Sequence, residues 1–272
     1  MLPAVLGLTL VATTVAGCDW PAGTRYVHPV FTSVERTNGV VYRNTTTWDG
    51  QPVALRMDVY RPAGDTATDR PAVVWLFGGG WQFGTRNQLS SFADDSARRG
   101  YVGVTIDYRI RANQSPLDTF GAAMDAYDDT IAAVQFLKDH AAEYGINPDQ
   151  IVTAGHSAGA INALHTVYLP GTRGPATPTV AAAVGISGLT FRQAAEPRPP
   201  TLQFHGTADP IVPLSSGQAA CDATRAAGNF CHMVTYEGAG HGLPQQFPDD
   251  IKAKTADFIF EQVVLPDQLG TG

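Results

Sequence analysis

Short apolar segments that alternate with helical segments constrain the fold of this chain more than any other feature. Each apolar segment is continuous and too short for a helix, which predicts strands buried on both faces of a sheet. The predicted strands are residues 72–77, 102–106, 151–154, 181–186, 201–204 and 233–236. The predicted helices are residues 86–99, 122–144, 158–168, 215–227 and 249–264. This alternation indicates an α/β fold with a mostly parallel, doubly wound sheet.

A hairpin is predicted before the parallel part of the sheet, over residues 40–62. Its second half alternates apolar and polar side chains, and residues 48–51, Trp-Asp-Gly-Gln, supply the turn. The Pro-rich stretches 170–178 and 197–200 are predicted as loops. The sequence contains no visible internal repeat or second domain.

The first residues of the chain, MLPAVLGLTLVATTVAGC, form an apolar stretch with the length of a signal-peptide core. Residues 15–18, Val-Ala-Gly-Cys, resemble the bacterial lipobox, and the resemblance implies that Cys18 is lipidated after residues 1–17 are removed. No basic residue precedes the apolar run, which departs from the usual export signal. The alternative is a buried N-terminal helix. We expect an exported protein, either a lipoprotein of the cell envelope or a secreted one.

Composition narrows the possible partners. The chain is 44% hydrophobic and 16% charged, which is enough apolar material for a buried core. Its formal net charge of -7 argues against nucleic acid and against anionic membrane surfaces. We therefore expect membrane contact only through a lipid at Cys18, and the sequence does not indicate an oligomeric state.

Residues 155–159, Gly-His-Ser-Ala-Gly, lie between a predicted strand and a predicted helix. In this context Gly-x-Ser-x-Gly is typical of a sharp turn that exposes a serine hydroxyl above the sheet. The flanking elements favour this interpretation over a glycine-rich turn with an idle serine. Ser157 is therefore the candidate nucleophile.

A serine hydroxyl needs a nearby imidazole to take its proton. His165 lies two turns down the same helix, about 12 Å along its axis, and is out of reach. His205 closes a predicted strand and His232 begins another, positions that suit structural roles. His241 lies in a loop after a strand with glycine on both sides. We predict His241 as the base.

The acid that orients this imidazole is expected between Ser157 and His241, at the end of a strand. Asp209 in HGTADPIVP meets both conditions. Other acids fit less well, because they lie in a Pro-rich loop, in a predicted helix, or too near the base; they are Glu196, Asp222 and Glu237. The order Ser–Asp–His is that of the α/β-hydrolase fold.

Several motifs extend this resemblance: LRMDVYRP, WLFGGGW, GHSAGA and HGTADPIVP. Over about residues 40–264 the chain resembles small bacterial α/β-hydrolases of the carboxylesterase and acetyl-esterase type, which are related to hormone-sensitive-lipase-like enzymes. Together with the apolar N-terminus, this resemblance predicts three segments: a signal peptide over 1–17, a surface segment over 18–38 and a catalytic domain over 39–266.

The three glycines of residues 78–80 are explained by the same resemblance. In this family a His-Gly-Gly-Gly loop donates backbone N–H groups to the oxyanion, which here implies Gly79 and Gly80, with the N–H of Ala158 as a third donor. Trp81 and Gln82 follow where a phosphate loop would need Lys and Ser or Thr. Phe77 replaces the usual histidine, so we expect activity with a locally repacked loop.

The segment between residues 186 and 201 is short and predicts a minimal cap over an open site. Loops 78–85, 108–120 and 187–198 are expected to form that site. Candidate pocket residues, each of which also fits ordinary packing, are Trp81, Phe83, Leu189 and Phe191. We predict a serine esterase that hydrolyses short acyl esters, including acetylated or feruloylated sugars, through an acyl-enzyme.

Metal and cofactor motifs are absent from the sequence, so none is expected. If Cys18 is lipidated, Cys221 and Cys231 remain as a candidate disulfide; the alternative is two unrelated buried thiols. Two other functions stay open. One is an exported serine peptidase of the prolyl-oligopeptidase type, and the other is a surface lipoprotein that binds through an impaired site.

Overall fold

Eight strands form a single sheet in the part of the chain that the computed structural model describes, residues 20–112, 118–169, 177–191 and 198–269. The strands are β1 (Val34–Thr46), β2 (Pro52–Pro62), β3 (Arg70–Leu76), β4 (Val102–Ile106), β5 (Ile146–His156), β6 (Ala182–Ile186), β7 (Thr201–Gly206) and β8 (Cys231–Tyr236). Their order in the sheet is β1-β2-β4-β3-β5-β6-β7-β8. β1 and β2 form the predicted antiparallel hairpin, β2 is antiparallel to β4, and the strands from β4 to β8 are parallel.

Helices alternate with most of the parallel strands and follow the last one, near the predicted positions. They are α1 (Ser90–Arg98), α2 (Thr119–Asp139), α3 (Ala141–Tyr144), α4 (Ala158–Tyr168), α5 (Leu214–Ala226), α6 (Leu243–Gln246), α7 (Pro248–Ile259) and α8 (Leu265–Gln268). A 3₁₀ turn over Arg86–Leu89 precedes α1, and a π-helical turn over Phe260–Val264 links α7 to α8.

The helix predicted over residues 122–144 is divided at His140. Its backbone leaves the helical region, with φ −110° and ψ 20°, and its ring stacks on Phe136 at 4.0 Å between centroids. The His140 Nδ1 also contacts the Phe136 carbonyl at 2.8 Å, which stabilises the break. Gly145, with a φ of 66°, then ends α3 as predicted.

The apolar core lies on both faces of the sheet, which is why the parallel strands are apolar at nearly every position. α2 and α4 pack on one face, over residues such as Val74, Leu137 and Leu164. α1 and α7 pack on the other face, over residues such as Trp75 and Phe258. This arrangement confirms the predicted α/β fold with helices on both faces.

The segment before the sheet is packed against it. Trp20 contacts Phe260 edge to face at 4.9 Å, and Val27 is buried in the core. Because β1 begins at Val34, the sheet extends into residues 18–38, the predicted surface segment. Residues 1–19, which include the predicted signal peptide and Cys18, lie outside the described residues, as do residues 113–117, 170–176 and 192–197 of the predicted loops.

The disulfide predicted between Cys221 and Cys231 is present and joins α5 to β8, with a Cα–Cα distance of 5.4 Å. Across the described ranges, no helix has both the length and the apolar character needed to span a membrane.

Parallel strands bring their carboxyl ends to the same edge of a sheet, so the loops that follow them meet there. Ser157 follows the central strand β5, and the glycine loop follows its neighbour β3. Asp209 and His241 follow β7 and β8 on the other side. The topology therefore gathers every predicted catalytic residue at one edge.

Candidate active site

Ser157 occupies the turn between β5 and α4. Its backbone adopts φ 56° and ψ −120°, a conformation that few non-glycine residues tolerate. The two glycines of the motif allow this turn to pack closely. A Cβ on Gly155 would lie 2.5 Å from the Gly159 backbone, and one on Gly159 would lie 2.2 Å from the Leu76 carbonyl. Larger residues at either position would push α4 away from β3.

His241 contacts both of its predicted partners. Its Nε2 lies 2.8 Å from the Ser157 Oγ, and its Nδ1 lies 2.8 Å from the Asp209 Oδ2. Because Asp209 is a carboxylate, it accepts a hydrogen bond from Nδ1–H, which leaves Nε2 free to accept the serine proton. The sequence-predicted residues therefore form a continuous hydrogen-bonded series.

Asp209 is held by more than His241. Its Oδ1 accepts hydrogen bonds from the backbone N–H groups of Ile211, at 2.9 Å, and Val212, at 3.0 Å. Burial of this side chain disfavours its charge, but the hydrogen bonds from His241, Val212 and Ile211 outweigh burial and lower the pKa of Asp209. The carboxylate is therefore charged at neutral pH. Its orientation is fixed because Oδ1 binds the backbone and Oδ2 binds His241.

The glycine loop lies directly against the nucleophile. A Cβ on Gly78 would lie 3.1 Å from the Ser157 Cβ. Gly79 and Gly80 both have positive φ, of 130° and 61°, and the loop folds back so that the N–H of Gln82 donates to the Gly79 carbonyl at 3.0 Å. Ala158 is the first residue of α4, where backbone N–H groups have no acceptor within the helix. The oxyanion role of these three N–H groups stays a prediction.

Phe77 is buried and organises the base of this loop through its ring. The ring stacks on Tyr108, with centroids 4.0 Å apart and planes 6° from parallel. The Tyr108 hydroxyl donates to the Phe77 carbonyl at 2.6 Å. Gly84 makes room for the ring, because a Cβ there would lie 2.4 Å from the Phe77 Cδ2. The loop is thus packed around an aromatic pair.

The candidate pocket residues differ in exposure. Phe83 and Phe191 are exposed, at 66% and 44%. Trp81 is only 5% exposed, and Leu189 packs against the core. Trp81 also donates its indole N–H to the Asn162 Oδ1 at 3.2 Å. Of these four residues, only the two phenylalanines therefore offer substantial surface to a ligand. Trp81 instead links the glycine loop to α4.

His165 and His205 make their hydrogen bonds to groups other than Ser157, as expected. His205 is buried and donates from Nε2 to the Val212 carbonyl at 2.8 Å. His165 is buried in α4, and its Nε2 accepts the Phe191 N–H at 3.4 Å. His232 lies near the start of β8, where burial lowers its pKa. Among the described residues, no group of three or more His, Cys, Asp or Glu side chains forms a candidate metal site.

Two residues near the site were missed by sequence reasoning, Ser187 and Asn162. Ser187 follows β6, is fully buried, and donates from its Oγ to the His241 carbonyl at 3.1 Å. Asn162 lies in α4 and binds Trp81. Position at the carboxyl end of a predicted strand was the available signal for Ser187, whereas nothing in the sequence distinguished Asn162 from other residues of a buried helix.

The fold and the serine–histidine–aspartate arrangement are those of an α/β-hydrolase. Residues 118–259 match the phospholipase/carboxylesterase family, and residues 57–177 match the family described as BD-FAE. The first match covers just over half of the chain. The chain belongs to the phospholipase/carboxylesterase family.

Solved structures agree with this assignment. Thermogutta terrifontis esterase 2, in a form phosphorylated by paraoxon, superposes with a TM-score of 0.69 at 28% sequence identity, over 85% of this chain and 95% of the esterase. The propionate-bound form of the same esterase gives the same values. These matches support an α/β-hydrolase of the serine esterase type.

Two of the curated relatives are named as esterases. A probable isoprenylcysteine alpha-carbonyl methylesterase of Arabidopsis thaliana is 24% identical over 82% of this chain, and carboxylesterase 1C of Rattus norvegicus is 35% identical over 43% of it. The chain spans 55% and 22% of the lengths of these two relatives.

Proposed function

We propose that the protein hydrolyses carboxylic esters with short acyl chains through a covalent acyl-enzyme on Ser157. The observation that carries this proposal is the hydrogen-bonded series from the Ser157 Oγ through the His241 imidazole to Asp209, with both contacts at 2.8 Å. Such a series activates a serine hydroxyl, which is otherwise a weak nucleophile at neutral pH.

The reaction begins when the His241 Nε2 takes the proton of Ser157 as its Oγ attacks the ester carbonyl. The N–H groups of Gly79, Gly80 and Ala158 then stabilise the negative oxygen of the tetrahedral intermediate. His241 returns the proton to the leaving alcohol and the acyl group stays on Ser157. Water, deprotonated by the same imidazole, attacks the acyl-enzyme and releases the acid.

Two features support short acyl groups. The connection between β6 and β7, residues 187–200, is short for a large cap. The related Thermogutta esterase has been solved with propionate and with butyrate bound, and by analogy the present site takes acids of this size. Small acyl esters, including acetyl and feruloyl esters of sugars, are the proposed substrate class.

An exported location is part of the proposal. The disulfide between Cys221 and Cys231 supports an oxidising compartment, where such bonds persist. A lipid at Cys18 would tether the enzyme to the cell envelope.

The test is turnover of para-nitrophenyl esters from acetate to octanoate by the full chain. We compare the wild type with Ser157→Ala and with Ser215→Ala, a control on the exposed side of α5. Labelling by paraoxon, with the mass shift mapped to a peptide, reports the reactive serine independently of the ester.

We expect the highest turnover on the acetate-to-butyrate esters, no turnover and no label in Ser157→Ala, and unchanged values in Ser215→Ala. Turnover that persists in Ser157→Ala would contradict the assigned nucleophile. A folded wild type that cleaves an aminoacyl amide but no ester would favour the peptidase function, and one that neither reacts nor is labelled would favour the binding function.

A further inference from the structure

The main-chain carbonyl of His241 is the meeting point of two side chains. The Ser187 Oγ donates to this oxygen at 3.1 Å, and the His156 Nε2 donates to it at 2.9 Å. Ser187 follows β6 and His156 ends β5, so the two donors come from neighbouring strands. Both hydrogen bonds are made to the backbone of His241 rather than to its imidazole.

The loop that carries His241 has little rigidity of its own. Glycine lies on each side, at Gly240 and Gly242, and a Cβ on Gly240 would have no atom within 4 Å. Glycines leave the backbone many accessible conformations. The position of the imidazole therefore depends on contacts made from outside the loop, and the carbonyl of the histidine itself receives two of them.

Ser187 adopts a backbone conformation that costs free energy. Its φ is 53°, in the left-handed region that glycine tolerates and serine does not favour. Its side chain is fully buried, and its own N–H donates to the Phe204 carbonyl at 2.8 Å. Strain of this kind persists where the surrounding structure fixes the residue, and it occurs often at active sites. Glycine would adopt this backbone conformation more easily, but only serine supplies the hydroxyl that binds the His241 carbonyl.

His156 connects three parts of the site. It precedes Ser157 in the chain, its ring centroid lies 5.1 Å from that of His241, and a Cβ on Gly78 would lie 3.0 Å from its Nδ1. Burial lowers the pKa of His156, so the ring is neutral at pH 7 and carries a single proton. The contact with the carbonyl requires that proton on Nε2.

We propose that Ser187 and His156 are positioning residues that hold the backbone of His241 and thereby keep its Nε2 within hydrogen-bonding distance of Ser157. This inference rests on the proposed esterase function. The glycine-flanked loop does not fix His241 by itself, so the two hydrogen bonds to the His241 carbonyl do so. This role explains why a strained serine follows β6.

The test compares four variants of the full chain by kcat and KM on para-nitrophenyl acetate and by thermal unfolding. Ser187→Ala removes the hydroxyl and keeps the strain, whereas Ser187→Gly removes both. His156→Phe keeps a ring against His241 and Gly78 but removes the donor, and His156→Gln restores an N–H of similar reach. Ser215→Ala again serves as the control.

Positioning predicts a kcat lower by about 10- to 100-fold in Ser187→Ala, Ser187→Gly and His156→Phe, the cost expected of a small misplacement of a catalytic group. KM is expected to change by less than about twofold, because substrate binding does not involve these groups. Ser187→Gly is expected to unfold at a temperature no lower than that of the wild type, because strain is relieved. His156→Gln is expected to recover most of the kcat lost in His156→Phe.

A purely structural role predicts the same stability for Ser187→Gly but an unchanged kcat, so kcat distinguishes the two roles. An active wild type whose kcat is retained in both Ser187 variants would overturn the positioning role and leave the esterase proposal intact. A wild type that neither turns over esters nor is labelled by paraoxon would overturn the esterase proposal, and the positioning role with it.

Discussion

The indole Nε1 of Trp81 donates a hydrogen bond to the Asn162 Oδ1, which joins the glycine loop to the helix that begins at the nucleophile. Trp81 has a φ of 59°, an unusual conformation for so large a residue, and its carbonyl accepts the Arg111 N–H at 2.7 Å. The loop of residues 78–84 is therefore fixed at Trp81 through both side chain and backbone. The geometry of the loop therefore depends on Asn162, which is 81 positions away from Trp81 in sequence.

Replacement of Asn162 by leucine is expected to reduce both stability and turnover. The buried indole N–H of Trp81 then lacks an acceptor, which costs about 1–3 kcal/mol in the free energy of unfolding. Urea unfolding and kcat on para-nitrophenyl acetate measure the two effects. Trp81→Phe serves as the partner variant, and the double variant is expected to show a coupling of about 0.5–1.5 kcal/mol. Strictly additive effects would show that the hydrogen bond contributes nothing.

Gly79 and Gly80 offer a matched pair for the predicted oxyanion loop. A Cβ on Gly79 would lie 2.0 Å from the Phe83 carbonyl, whereas one on Gly80 would have no atom within 4 Å. Gly79→Ala must displace the loop, and we expect kcat to fall by about 100-fold, the cost of losing one oxyanion donor. Gly80→Ala keeps its N–H in place at a cost of about 1 kcal/mol for the left-handed backbone.

Ester kinetics and thermal unfolding of both variants test this contrast. Gly80→Ala is expected to keep kcat within about threefold of the wild type, because alanine retains the N–H that acts on the oxyanion. Equal losses of kcat in the two variants, without unfolding, would contradict the steric argument.

Topology explains why much of the site could be predicted from the sequence. Ser157, Asp209 and His241 each follow a strand of a parallel sheet, and the carboxyl ends of parallel strands lie at one edge, so the loops that carry these residues were expected at the same edge. The sharp turn at Ser157 could be predicted from its two glycines, because only glycine allows α4 to pack so closely on β3.

Other features depend on side-chain contacts that leave no pattern in the sequence. The bond between Trp81 and Asn162 spans 81 positions, and a tryptophan after three glycines fits a ligand pocket as well as a buried anchor. The positive φ of Ser187 is imposed by its surroundings, since serine does not favour it. The division of the long helix at His140 likewise follows from a ring stacked on the preceding turn.

Replacement of Asp209 by asparagine is expected to remove nearly all turnover. Its Oδ1 accepts two backbone N–H groups, so the amide of asparagine must keep its oxygen there and present its NH₂ to His241. The Nδ1 of His241 then has to accept, which places its proton on Nε2 and prevents it from receiving the proton of Ser157. We expect kcat to fall on the order of 10³–10⁴-fold.

The control is Asp222→Asn on α5, an acid with an exposed side chain that also lies between Ser157 and His241 in sequence. We expect its kcat to match that of the wild type. Loss of turnover in Asp222→Asn, with Asp209→Asn active, would reverse the assignment of the acid.

The buried His165 is expected to make stability depend on pH. Burial lowers its pKa to about 4, below the value near 6.5 of an exposed histidine. Between these two values the unfolded chain binds the proton and the folded chain does not, so the stability contributed at neutral pH is lost as the pH falls. Through this residue, we expect the free energy of unfolding to decrease by about 2 kcal/mol from pH 7 to pH 5.

Urea unfolding at both pH values, on the wild type and on His165→Gln, isolates this contribution. Glutamine still accepts the N–H of Phe191 but does not titrate in this range, so the variant is expected to lose less stability between pH 7 and pH 5. The comparison is needed because burial also lowers the pKa of His156 and of His232, whose effects have the same sign and remain in the variant. Equal losses in the two proteins would show that His165 accepts a proton in the folded state as readily as in the unfolded one.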